Sequence, residues 1–117
     1  MAAILLIAAA LTAQPAISQD RVDVGYDELA SGQTAAAIAR ITANTEIASN
    51  DPAALINLGT AYARLGNKVK AADYYRAAIA SPERYDLQLA DGSWMDSRRI
   101  ARIALANLAK GERIAAR

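Results

Sequence analysis

The sequence predicts a mostly α-helical fold: two helix–turn–helix units, then a short β-hairpin and a C-terminal capping helix. Three observations carry this. The chain matches itself at one fixed offset, the step that carries Gly25 to Gly59. Apolar residues recur at spacings of three and four between recognisable start and stop residues. Near the C-terminus that spacing gives way to alternation around Asp91-Gly92.

The first element is a leader. Ala2 to Ala13 holds no charge and is mostly Ala, Leu and Ile; Pro15 and the small-residue pattern Ala16-Ile17-Ser18 follow. An apolar core, a breaker and small residues at a cleavage point are the order of a secretory signal. Cleavage is expected after Ser18, with Ala13 as an alternative, leaving residues 19–117 as the folded domain. No Lys or Arg precedes the core, so an uncleaved anchor or an ordinary N-terminal helix stays open as a reading. The apolar run is shorter than the roughly 20 residues that span a bilayer.

The repeat units are expected at about 22–50 and 52–84. Laid on each other at that offset, Gly25 falls on Gly59, Gly32 on Gly66, Ala37 on Ala71 and Ile41 on Tyr75. Two glycine coincidences among only six glycines are harder to obtain by chance than alanine matches in an alanine-rich chain. In the first unit, helices are predicted over Val22–Ala30 and Thr34–Ala48, with Ile38, Ile41 and Thr45 facing inward. In the second, Asp51-Pro52 is a start signal, Asp as cap and Pro at the first helical position. A helix follows over Pro52–Arg64, then a turn at Gly66-Asn67 and a helix over Lys68–Ala80 ending before Pro82. Ala71, Ala72, Tyr75, Ala78 and Ile79 form its apolar face. Gly59 inside a helix costs about 1 kcal/mol relative to Ala. Its expected purpose is close approach of two helix axes, with an alanine of the second helix opposite.

After the units, Tyr85, Leu87 and Leu89 alternate. Asp91-Gly92 reads as a two-residue hairpin turn, which sets Leu89 opposite Trp94. Trp94, the only Trp, is expected to pack on helix 68–80. Asp96 or Ser97 caps a last helix over Ser97–Lys110, stopped by Gly111, with Ile100, Ile103, Ala104 and Leu108 inward. This region, 85–110, reads as a cap on the repeats, because two units alone bury little.

Composition removes several functions. There is no Cys and no His, hence no disulfide framework, no thiolate zinc site and no histidine base. Net charge is +1, which does not argue for nucleic acid. Residues 1–58 carry two Arg against six acids, a net of −4, while residues 59–117 carry +5. The split either steers a partner or a second copy of the chain, or is scatter on a solvated surface. Asp27 and Glu28 diverge on a helix, and Glu83, Asp91 and Asp96 sit in turns or caps, so no acid–base pair is expected. No metal, cofactor or catalytic residue is predicted.

Leu58, Gly59, Tyr62, Gly66, Ala71, Tyr75, Ala78 and Pro82 stand at or next to the signature places of the tetratricopeptide repeat, which the second unit resembles. The match departs at Leu55, Lys68 and the early Pro82, and the first unit departs at Glu28 and Asn44. The resemblance, over residues 22–84, implies a helical solenoid fragment whose first helices present a partner-binding face. Carried onto the second unit, that face comprises Ala53, Ile56, Asn57, Thr60, Ala63 and Arg64. Asn57 then either holds a partner's carboxylate or backbone, or is a structural amide. Asp23 stands at the equivalent place in the first unit, and a third such helix is not evident.

A second candidate comes from charge alone. Arg98 and Arg99 lie in the first turn of the last helix, where its dipole disfavours cations by roughly 0.3–1 kcal/mol each. Arg102 adds a like-charged i, i+4 neighbour to Arg98. Either Asp86, Asp91 and Asp96 pair with them locally, or the three arginines form a patch for an acidic partner. The expected function is therefore a non-catalytic protein–protein interaction module or scaffold of the cell envelope, exported to the periplasm or secreted. The alternatives are a structural, self-assembling repeat protein and a membrane-anchored adaptor with an uncleaved N-terminal segment. Its partner is expected to be a protein or peptide, or a second copy of the chain in a homo-oligomer, with no stable membrane insertion after cleavage.

Overall fold

The computed structural model describes residues 3–4, 25–43 and 50–110. In chain order these form β1 (Ala3–Ile4), α1 (Tyr26–Ala30), α2 (Thr34–Thr42), α3 (Pro52–Arg64), α4 (Lys68–Ala80), β2 (Asp86–Gln88), β3 (Trp94–Asp96) and α5 (Ser97–Ala109). The protein is mostly helical with a small sheet. The expected cleavage points, residues 22–24, Asn44, Thr45 and Gly111 lie outside the described residues.

The two helical pairs share one turn, bond for bond. Gly32 and Gly66 both adopt a left-handed φ of 84°, which only Gly reaches without strain. Gly32 donates its N–H to the Leu29 carbonyl at 3.0 Å, and Gly66 to that of Ala63 at 3.0 Å. One residue on, Gln33 donates to Glu28 at 2.8 Å and Asn67 to Tyr62 at 2.9 Å. Each donor and acceptor of the first turn is carried onto its counterpart by the same step that carries Gly32 to Gly66. Both are Schellman turns, which satisfy carbonyls orphaned at a helix end. The turns differ at the next cap. Asn67 accepts from the Lys70 N–H at 3.1 Å, whereas the longer Gln33 makes no side-chain cap.

Side-chain pairs recur at the same offset. A Cβ on Gly59 would lie 2.5 Å from the Tyr75 ring, and one on Gly25 would lie 2.9 Å from Ile41. Gly59 therefore makes room for a ring, not for the alanine the sequence suggested. Arg40 pairs with Glu28 at 2.7 Å, where the second unit stacks Tyr74 on Tyr62 with centroids 5.6 Å apart. One difference lies at the first helix. Gly25 has φ 71° and forms its N-cap, so the helix starts at Tyr26 and not at Val22.

α3 is the central element. Every residue from Asp51 to Ala61 is buried. Asp51 caps it, accepting from the Ala54 N–H at 2.9 Å, a bond worth about 1 kcal/mol. α3 packs on α2 and touches α1; α5 packs on α4 and touches α3 in the same order. α5 thus stands to α4 and α3 as α3 stands to α2 and α1. Ile100, Ala101, Ala104 and Leu108 face the core, while Ile103, expected inward, is 41% exposed. The buried stripe is centred on Ala101 and Ala104, and Ile103 lies on its outer flank.

The hairpin register differs from expectation by one residue. Leu87 pairs with Met95 and Gln88 with Trp94. Leu89 donates to the Ser93 carbonyl at 2.8 Å and accepts from Gly92 at 2.8 Å, closing a three-residue loop. Gly92, at φ 89°, supplies the left-handed position such a loop needs. A one-residue slip moves each side chain to the other face. Leu87 is therefore fully buried, and Trp94 is 52% exposed instead of packed on the helix. β1 runs parallel to β2 on its other edge, with Ala3 registered on Leu87 and Ile4 on Gln88. The apolar N-terminal stretch was not expected to contribute a strand.

Candidate partner-binding surface

The row proposed for the first helices is not an open face. Ala53, Ile56, Asn57 and Thr60 are all buried, at 0–4% exposure. The reason is the central position of α3, which leaves none of its first three turns to solvent. Thr60 Oγ1 lies 3.0 Å from Tyr75 Oη and ties α3 to α4. Burial raises the Tyr75 phenol above its ordinary value, against the bond from Thr60 and the nearby Arg64. Asn57 is engaged within the fold. Ala63 and Arg64 are half-buried. Arg64 Nη1 donates to the Leu29 carbonyl at 2.9 Å, binding α3 to the end of α1. Burial lowers its pKa, with Tyr75 acting in the opposite sense.

The three arginines of α5 separate. Arg98 is half-buried and donates from Nη2 to the Ser81 carbonyl at 2.8 Å, fastening α5 to the end of α4. Its Nε is buried with no acceptor. Arg99 and Arg102 are exposed and have no ion pair among the described residues. Two of the three carboxylates expected to neutralise them are used elsewhere, and the third, Asp86, is exposed with no ion pair among the described residues. Asp96 pairs with Arg84 at 2.8 Å and caps α5 by accepting from the Arg99 N–H at 3.1 Å. The Arg84 bond is the main cause of the lowered Asp96 pKa. Asp91 accepts from the Ser93 N–H at 2.9 Å and Oγ at 2.6 Å, which lowers its pKa.

The junction of α3, α4 and the hairpin is a closed polar cluster. Tyr85 Oη donates to Asp51, and Ser81 Oγ donates to the Asn50 carbonyl. Ser97 donates its N–H to the Tyr85 carbonyl at 2.9 Å. Burial, reinforced by Asp51, raises the Tyr85 phenol pKa strongly. These groups serve one another and hold the hairpin to the helices.

What remains outward is a row on α5, Arg99, Arg102 and Ile103, and three apolar side chains: Leu65, Val69 and Trp94. Trp94 and Ile103 were missed as surface residues. The signal for Trp94 was present, since Ala90-Asp91-Gly92 also suits a three-residue loop with Gly in the left-handed place. Among the described residues no cluster of three or more potential metal ligands occurs. No protein-family model, curated protein or solved structure matches this chain.

Proposed function

We propose that this chain is a non-catalytic interaction module of the cell envelope, built on tetratricopeptide-like units, that binds an acidic protein partner on the outer face of α5. The recurrence of the turn between paired helices at one fixed offset, down to single hydrogen bonds, is the observation that supports the reading. In such an array each unit's second helix covers the outer side of its first. α5 stands where a third first-helix would stand, and its outer row of Arg99, Arg102 and Ile103 is exposed. Two guanidinium groups with no acid partner among the described residues, beside an aliphatic side chain, suit carboxylates flanking an apolar contact. The same charge disfavours pairing of two copies through this face, since arginine would meet arginine.

The test is chemical crosslinking in the native host with the tagged full-length chain and with the double variant Arg99→Glu/Arg102→Glu. The reading expects a reproducible acidic partner with the wild type, lost with the variant while the melting temperature holds. The same partners with both proteins, or none with either, would overturn it. Export is tested separately by the intact mass of the mature protein: a start at Gln19 supports it, and a retained Met1 rejects it.

A further inference from the structure

We infer that the outer edge of β2 is a strand-acceptor site, in which Ala3–Ile4 stands in for an extended, uncharged, aliphatic segment of a partner polypeptide. β2 is the middle strand of the sheet, with β3 on one side and β1 on the other. The hairpin side is fixed by the chain itself. The Leu89 amide donates to Ser93 across it, so by alternation the Gln88 amide points to the opposite edge. That edge would otherwise carry unpaired backbone groups, a template for another strand. It is filled by a two-residue strand from the opposite end of the sequence, running parallel.

The site states what it accepts. Leu87 is fully buried in the main core cluster with Ile100 and Leu108. A strand added beside it is registered on this buried position, which in β1 falls to Ala3, a small uncharged residue type. Asp86, exposed at the start of β2, opposes an acidic occupant. The occupying segment comes from the stretch whose composition reads as a removable leader. Occupancy in the cell therefore rests on the export reading above: removal of residues 1–18 takes the intramolecular strand away and opens the edge to a partner.

The experiment measures hydrogen exchange at the Gln88 amide by NMR in the full-length chain. It compares the wild type with Ala3→Asp/Ile4→Asp, which sets two carboxylates beside Asp86 and disfavours the strand while leaving every helix residue unchanged. The probe is a synthetic peptide of residues 1–8 carrying a C-terminal lysine tag for solubility. Exchange at Gln88 should be slow in the wild type and about tenfold faster in the variant. Added peptide should slow it again, and an Ala3→Asp peptide should not. Equal exchange in wild type and variant, or no recovery with the peptide, would overturn the site. Dimers of the variant in sedimentation that dissociate when the peptide is added would make a second copy the occupant and overturn the choice of partner. A retained Met1 in the native host would reject the export reading, while the exchange result still stands or falls alone.

Discussion

Gly59 and Tyr75 show how one residue choice sets a helix crossing. Helix propensity favours Ala over Gly by about 1 kcal/mol, so an exposed Gly59→Ala change would stabilise. Here the new Cβ would lie 2.5 Å from a ring that is itself 1% exposed and has nowhere to move. The expected outcome is a net loss of roughly 1–3 kcal/mol, read from the urea midpoint. An unchanged or higher midpoint would mean that α3 and α4 are not in contact through this ring. Tyr85 gives a second test, in pH. Its folded-state pKa is raised above 10.0, so the unfolded chain releases the proton first. The stability this group contributes is present below the unfolded value and is lost as pH rises above it towards the folded value. The urea midpoint of the wild type should fall above about pH 10. Tyr85→Phe should fall less steeply, since it has no proton to lose; parallel curves would disprove the assignment.

At the scale of elements, sequence and structure agree best where termini carry their own chemistry. Helices α3 and α4 begin and end where Asp51-Pro52, Gly66-Asn67 and the approach to Pro82 place them. Each signal there acts within a few residues, so it is readable from the chain alone. The hairpin was misread because Asp91-Gly92 suits two loop lengths and neither carries a local penalty. Only the burial of Leu87 against the helices selects the register. The candidate site was the least legible part. Spacing placed Ile56, Asn57 and Thr60 on one side of α3, but whether that side meets solvent depends on every element packed around it. The hairpin register is testable through Trp94, which reports alone as the only Trp. At 52% exposure its emission should be that of a wet indole, and acrylamide should quench it readily. A blue-shifted, protected indole would instead restore the two-residue turn and the Leu89–Trp94 pairing.

At the scale of the molecule, α3 decides whether the protein melts once or in parts. A repeat array unfolds through nearest-neighbour contacts and can lose its ends first. Here three apolar clusters share one helix. Ala53, Leu55 and Ile56 belong to the cluster formed with α4, β2 and α5; Ala61 joins Leu29 and Ala37; Ala54 and Leu58 join Ile41. The N-terminal pair and the C-terminal hairpin with α5 therefore rest on opposite sides of the same helix. Ile56→Ala removes a side chain that is 1% exposed and should cost about 2–5 kcal/mol. The loss belongs to the whole structure, so helical circular dichroism and Trp94 fluorescence, which reads the hairpin, should shift together in urea. Coincident midpoints before and after the change would establish one cooperative unit. A fluorescence transition that precedes the helical one, or ignores the substitution, would make the hairpin and α5 an independent cap, leaving the proposed partner face on a separately folding piece.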